Sequence, residues 1–183
     1  MALKFTHSYI EDSLALFHHY KSLAEQAMAQ ISDEQLVTRS GGGDMNSIAT
    51  IVKHLAGNMR SRWTDFLTSD GEKPDRNRDS EFVDPPATRE ALLGLWNDSW
   101  RILLTELQAL SDDDLKRSVT IRGEAHSVMQ AINRQIGHLA YHVGQIVVLA
   151  RLFKSEDWEW LSVPPGQSEQ YNRRVLAGEA SQR

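Results

Sequence analysis

Three histidines carry the chemistry that this sequence offers. His138 and His142 stand four residues apart in the segment IGHLAYHVGQ, and in a helix a four-residue step stacks two side chains on one face. Metal–nitrogen bonds of roughly 2.0–2.1 Å are short enough for two such rings to share one ion. Spacing alone leaves the pair open between chelation and two polar helix positions without a ligand. His54, in SIATIVKHLAGNMRSRW, shifts the balance. It borders an apolar stripe, and the interior of a helix bundle can bring such a residue against a pair on a neighbouring helix. An imidazole buried without a partner costs about 1–3 kcal/mol, and one shared cation satisfies all three rings. Three neutral ligands leave at least one coordination position for water or substrate, the arrangement of a reactive site; structural sites are usually closed.

Other readings of the histidines fit less well. His18 and His19 are adjacent and cannot face one direction, so they and His7 read as surface or partly buried residues of the first helix. His126 precedes the expected cap Ser127 and reads as a residue at the start of a helix. The zinc-protease pattern HExxH fails because Leu139 follows His138. A di-iron carboxylate bundle needs an acid three residues before histidine, and none of the seven histidines has one. No G-x-S-x-G nucleophile elbow occurs. The chain has no cysteine, which excludes disulfides, thiolate-bound metals, iron–sulfur clusters and a cysteine nucleophile.

Four helices must position these rings. The first is expected from Leu3 to Gln30, with Phe5, Tyr9, Leu16, Tyr20, Leu23, Ala27 and Ile31 as its apolar stripe. The second comes after the turn GGGDMNS, capped by Asn46 or Ser47, and runs to about Leu67 with Ile48, Ile51, Val52, Leu55, Met59, Trp63 and Phe66 inward. The third starts near Thr88, its stripe Leu92, Leu95, Trp96, Ser99, Leu103, Leu107 and Leu110. The fourth spans about Ser127 to Phe153. Its second half, VGQIVVLARLF, is apolar nearly all round, which points to burial on more than one side or to a dimer interface. Trp63 and Trp96 read as core, with a pocket wall as the alternative for each.

Between the second and third helices lies SDGEKPDRNRDSEFVDPPA, polar, aperiodic and proline-rich, a long loop that is either a lid or binding segment or a simple solvated connection. Before the fourth helix, Ser118 to Ile121 alternates and Arg122-Gly123-Glu124 is a turn, leaving room for a small hairpin. The expected fold is therefore all-α: a four-helix bundle with a long crossover loop. Residues 1–172 read as one domain and residues 173–183 as a polar C-terminal tail that frays.

Net charge is −5, and no basic stripe stands out, which argues against nucleic acid and anionic membrane surfaces as partners. The stretch MALKFTHSYIEDS lacks the apolar core of a signal peptide, and no run reads as long enough to span a bilayer. A cytoplasmic location without a membrane partner is the expectation.

A histidine in the second helix and H-x-x-x-H in the fourth, followed by Gly144-Gln145, resemble the DinB-like (YfiT/DinB) superfamily. The match covers NSIATIVKHLAGNMRSRW, the long loop and HSVMQAINRQIGHLAYHVGQIVVLARL, and HLAYHVGQI is its most specific piece. NMRSRWTDFLTSDGEKPDRNRDSEF resembles a branch of unassigned function. The resemblance implies a bundle with a long crossover, a homodimer, and a divalent ion (zinc, nickel, manganese or iron) on His54, His138 and His142. It further implies a metal-dependent transferase that joins a low-molecular-weight thiol, such as bacillithiol, mycothiol or glutathione, to an electrophilic small molecule.

Coordination to a cation favours the thiolate, which then attacks an epoxide or alkyl halide carbon. Asn58 and Arg62 follow His54 at four-residue steps and are candidate substrate-binding residues; Arg62 either holds a substrate carboxylate or pairs with Asp65 or a loop acid. Gln135 and Gln145 flank the histidine pair, and either can hydrogen-bond a ligating imidazole. Gln145 is the more telling, as an amide expected to be buried among apolar neighbours. No residue is singled out as a catalytic acid, base or nucleophile. Metal-assisted hydrolysis and a non-catalytic, stress-related, metal-binding dimer are the rival readings.

Overall fold

Hydroxyl side chains decide where most of the helices begin. Ser8 opens α1 (Tyr9–Ala29), Ser32 opens the short α2 (Asp33–Val37), Ser47 opens α3 (Ile48–Trp63) and Thr88 opens α4 (Arg89–Gln108), each accepting a hydrogen bond from a first-turn amide. Ser127 opens α5 (Val128–Lys154) in a reciprocal box with Gln130, whose side chain bonds back to the Ser127 amide. A last helix, α6, runs Ser168–Leu176. The computed structural model describes residues 5–41 and 45–180; the expected helix start at Leu3, part of the glycine-rich turn and the last three residues lie outside them. Helix makes up 64% of the chain, and among the described residues strand is confined to one two-stranded ribbon, so the fold is all-α as expected.

α1 packs on α5 and α4, and α3 packs on α4 and α5, which closes a four-helix bundle. Its centre is aromatic: Phe17 meets Trp63 and Trp100 edge-on at 6.4 Å each, and Trp96 meets Trp100 at 5.3 Å. β1 (Ser118–Ile121) and β2 (Glu124–Ser127) form the small hairpin ahead of α5, with Ile121 opposite Glu124. Arg122 and Gly123 turn it with φ of 56° and 77°, the left-handed pair that a tight hairpin of this twist demands.

Several boundaries differ from the sequence pattern for identifiable reasons. α1 begins at Tyr9 because the carboxylate of Asp112, from the turn after α4, accepts from Ser8 Oγ and the amides of Tyr9 and Ile10, which anchors the helix end there. Phe5 accordingly lies outside the stripe and is exposed. α3 ends at Trp63, and Asp65 takes a φ of 49°. Phe66 is nevertheless buried, because the chain folds it back onto Trp63 at 4.5 Å. Leu95 faces outward at 36% exposure, the core positions of α4 being Leu92, Trp96, Ser99, Trp100, Leu103 and Leu107. His126 sits in β2 opposite Val119. α2 and α6 are not legible from periodicity, and the expected division at 172/173 falls inside α6.

The second half of α5 is not buried all round: Val148 and Leu152 are 59% and 67% exposed. Contrary to the expectation for the longest apolar run, α5 with the turn to Asp157 is long and apolar enough to cross a membrane, by length and composition only, at mean hydropathy 1.3. In the fold that length lays one face against α1 and α3 and carries two histidines into the interior.

The core assignment of α4 is tested by a pair of truncations. Leu103 is fully buried and Leu95 is not, so Leu103→Ala is expected to destabilise by about 2–5 kcal/mol and Leu95→Ala by less than about 1 kcal/mol. Chemical denaturation of both variants measures the difference, and equal losses would refute it.

Candidate metal centre

α3 supplies His54 and α5 supplies His138 and His142 to one point in the bundle. One ring nitrogen from each can be chosen so that all three lie within 4.8 Å of one another, and His54 Nε2 is 3.1 Å from His138 Nε2. The rings meet pairwise edge-on, with centroids 4.7 to 5.1 Å apart. His54 is buried, and the other two are half-buried. An ion with bonds of roughly 2.0–2.1 Å separates neighbouring nitrogens by about 3.3 Å in a tetrahedron and about 2.9 Å in an octahedron. The 3.1 Å separation lies between the two values.

The outward nitrogens decide how the rings are protonated. His54 Nδ1 lies 2.8 Å from Glu81 Oε2. Burial alone would raise the Glu81 carboxyl, but hydrogen bonds from His54 and Arg76 and the Arg76 charge outweigh it and hold the group below its ordinary value. A carboxylate only accepts, so His54 donates from Nδ1, and its neutral form presents a lone pair at Nε2. His142 Nδ1 lies 2.8 Å from the amide oxygen of Gln145, which imposes the same tautomer. Burial, with His142 and His54 close by, pushes His138 down to about 3; burial likewise lowers His142. These two rings are neutral at neutral pH, the form that binds metal. His138 Nδ1 is buried without a partner. If His138 donates from Nε2 to His54, a bare buried acceptor remains at Nδ1. If its proton sits on Nδ1, two lone pairs oppose at 3.1 Å. A cation between them removes the second conflict, so the donor set fits a metal ion.

Glu81 comes from the long loop, which is neither a solvated connection nor an open segment. A 3₁₀ turn, Asp79–Phe82, carries it, and Phe82 stacks on the His54 ring at 4.8 Å. Lys53, on α3, donates to the carbonyls of Ser80, Val83 and Asp84. At the other end of the loop, Gly71 N donates to Thr120 O of β1, and Ser61 Oγ donates to Gly71 O. Between these anchors Arg76 bonds both Glu81 oxygens and Glu72. Gly57, one turn after Lys53, makes room: a Cβ there would collide with Glu81 Oε1 and lie 2.7 Å from its Cδ.

A cavity of about 510 Å³ opens beside the three rings, lined also by Asn58, Arg62, Trp63, Gln135 and Phe82. Asn58 is buried there, with its Oδ1 unpartnered. Arg62 also lines it, but the guanidinium is engaged with Gly71 O and with Glu72 at 2.6 Å, a loop acid. Gln145 does hydrogen-bond a candidate ligand, yet it is half-buried where the sequence pattern implies full burial. Gln135 is buried and does not reach an imidazole; its oxygen accepts from Trp63 Nε1 at 3.2 Å. Trp63 is thus both core and cavity wall. His7, His18 and His19 are exposed and remote from the site.

The family model described as "Protein of unknown function (DUF1572)" matches residues 4–167. The chain belongs to this family. Comparisons with curated proteins and with solved structures return no match. The DUF1572 match covers His54, His138, His142 and the loop that carries Glu81. Spacing does not reveal Glu81, because it lies 27 residues after His54 in a segment without periodicity; the apolar pair Phe82-Val83 beside it is the available hint that this part of the loop docks. Arg134, another wall residue, stands four before His138, the same step that exposes the histidine pair.

The supports around the rings can be tested at two points. Gly57→Ala improves intrinsic helix propensity by about 1 kcal/mol, yet displaces Glu81; metal affinity is expected to fall about 10–100-fold in a metal titration. Gly94→Ala, on α4 with nothing near its Cβ, keeps full affinity. A Gly57→Ala protein with unchanged affinity would remove Glu81 from the site. The other point is Glu72. Burial raises it, but hydrogen bonds from Arg62 and Arg122 and the charge of Arg76 hold it down at about 2, against an ordinary value of 4.5. Its contribution is present above pH 4.5 and lost as pH falls toward about 2. The melting-temperature gap between wild type and Glu72→Gln is therefore widest above pH 4.5 and narrows below it; a gap that widens on acidification would contradict the sign.

Proposed function

We propose that this chain is a metal-dependent enzyme of the DinB-like superfamily, a transferase that joins a low-molecular-weight thiol to an electrophilic small molecule. The observation that carries the reading is the convergence of three imidazoles whose outward nitrogens, on His54 and His142, are tied to acceptors. The support extends to the cavity beside them, whose size suits a small molecule. His54, His138 and His142 would hold the ion. An all-imidazole set suits zinc, nickel or iron better than manganese, which favours oxygen donors. When bound, the ion would supply Lewis acidity that lowers the pKa of a thiol at its open position.

The remaining roles belong to the chain itself. Glu81 and Gln145 fix two rings in the tautomer that points Nε2 inward. Trp63 and Phe66 offer an apolar wall for the carbon skeleton of an electrophile. Asn58 Oδ1 accepts a hydrogen bond from a substrate group. Arg62 contributes charge at the wall, its Nη1 being committed to Gly71 and Glu72 of the loop. Among the described residues no carboxylate lines the cavity, which favours thiol transfer over hydrolysis through a general base. A homodimer through α5 is part of the reading: Tyr141, Val148 and Leu152 are exposed on one side of it.

Metal content of the purified protein, followed by calorimetric titration, tests the first half. Metal at about 100 times its Kd is expected to add about 2.7 kcal/mol to the stability of wild type and nothing to His138→Ala. Turnover of an epoxide or alkyl halide with bacillithiol, mycothiol or glutathione tests the second. Metal binding without turnover of any thiol would refute the transferase and leave a metal-binding protein.

A further inference from the structure

The chain has a net charge of −5, but the cavity wall beside the histidines reverses that sign. Arg62, Arg76, Arg78, Arg122 and Arg134 line it, with no acidic residue among the lining groups. Two carboxylates stand behind the wall. Glu72 serves Arg62, Arg76 and Arg122 through one oxygen, and Glu81 serves Arg76 and His54. Three guanidiniums thus share two acids, one of which also holds a histidine. Arg78 lies over the Phe82 ring and meets only the solvent-exposed Asp79, at 4.0 Å. Arg134 has no carboxylate within ion-pair distance among the described residues.

Arg134 and Arg122 reach the cavity from different elements, and the Arg122 guanidinium, beside Glu72 at 3.4 Å, remains half exposed. Arg134 extends the line of His138 and His142 by one more turn of α5, so a cation precedes the two rings on one stripe. Arg122 stands at the hairpin tip. The Asp70 carboxylate fixes its backbone by accepting from the amides of Arg122 and Gly123 at 2.8 Å, while its side chain stays 54% exposed. A guanidinium presents a planar fork that matches the oxygens of carboxylate and phosphate.

A second observation also points to a ligand. Asn58 Oδ1 and Gln135 Nε2, both on residues of the cavity wall, are buried with no partner. Trp63 Nε1 can only donate, so the oxygen of Gln135 must face it and the amide hydrogens are left without an acceptor. One acceptor and one donor, both unanswered, suit a hydroxyl or a carbonyl with a neighbouring donor.

We infer that the cavity binds a small organic anion, its carboxylate or phosphate held by Arg122 and Arg134 and an adjacent polar group by Asn58 and Gln135. That its reactive end meets an ion at the three histidines rests on the reading under Proposed function; the arginine clamp does not. In that reading the anion is the electrophile or the thiol itself.

Calorimetry of the full chain at low ionic strength tests it, with succinate and inorganic phosphate as probes, before and after metal loading. Saturable binding of at least one probe to metal-free protein is expected, weakened at least about tenfold in Arg134→Gln and more in Arg122→Gln/Arg134→Gln. Arg101→Gln, an exposed arginine on α4, keeps wild-type affinity. Preference for succinate assigns a carboxylate ligand, and preference for phosphate a phosphorylated one. Absence of saturable binding, equal affinity in wild type and Arg134→Gln, or binding only after metal loading that ignores both arginines would overturn the inference. Metal content is read on the same samples. Anion binding without metal uptake leaves the clamp standing and removes the metal reading, whereas metal uptake without anion binding removes the clamp alone.

Discussion

The hydrogen bond between Glu81 and His54 is the interaction around which the rest of the site is arranged. Both groups are buried, and neither is tolerable there alone: a carboxylate away from water needs charge and hydrogen bonds, and an imidazole needs its proton placed. Together they solve half the problem. Arg76 solves the other half by bonding both Glu81 oxygens. Glu72 in turn faces Arg62 and Arg76, and Asp70 and Gly71 tie the same stretch to the hairpin. A loop that composition marks as polar and unstructured is therefore held by buried polar requirements. Gly57 shows how specific this is, since a single methyl group on α3 would occupy the space that Glu81 takes.

α5 places three demands on one helix. Its inner face fills the bundle against α1 and α3, one stripe presents Arg134, His138 and His142 to the cavity, and its outer side leaves Tyr141, Val148 and Leu152 in solvent. These demands explain why its pattern resists a simple reading. A helix that meets core, site and an uncovered apolar side has no continuous polar face, so its hydropathy approaches that of a membrane span even though it is a bundle helix.

The parts of the fold legible in the sequence are those whose cause is local. Ser47, Thr88 and Ser127 act as caps through amides no more than three residues further along the chain, and the hairpin turns where Gly123 takes a positive φ at no steric cost. His138 and His142 share a face through helix geometry alone. The place of His54 on an apolar stripe marks it as inward-facing, and the bundle does bring it to the pair. The features that escape a sequence reading depend on distant contacts. Asp112 trims the start of α1 from over a hundred residues away. Gln135 turns to the Trp63 indole, although its spacing from His138 suggests the imidazole. The engagement of Arg62 with Glu72 depends on where a long loop docks, which no window of sequence contains.

The electrostatics of the cavity and of the metal centre bear on each other. A divalent ion on the three histidines would bring its full charge into a wall already rich in guanidinium, with Glu72 and Glu81 among the described residues nearby to offset it. That charge would raise the free energy of an empty cavity and lower that of a cavity holding an anion. Linkage then requires the reciprocal effect: an anion seated at Arg122 and Arg134 would tighten such an ion by the same factor by which the ion would tighten the anion. A site built this way would favour neither ion nor anion alone. Burial, which holds His138 and His142 unprotonated, makes such an arrangement workable, because protonated rings would add to the same surplus of positive charge.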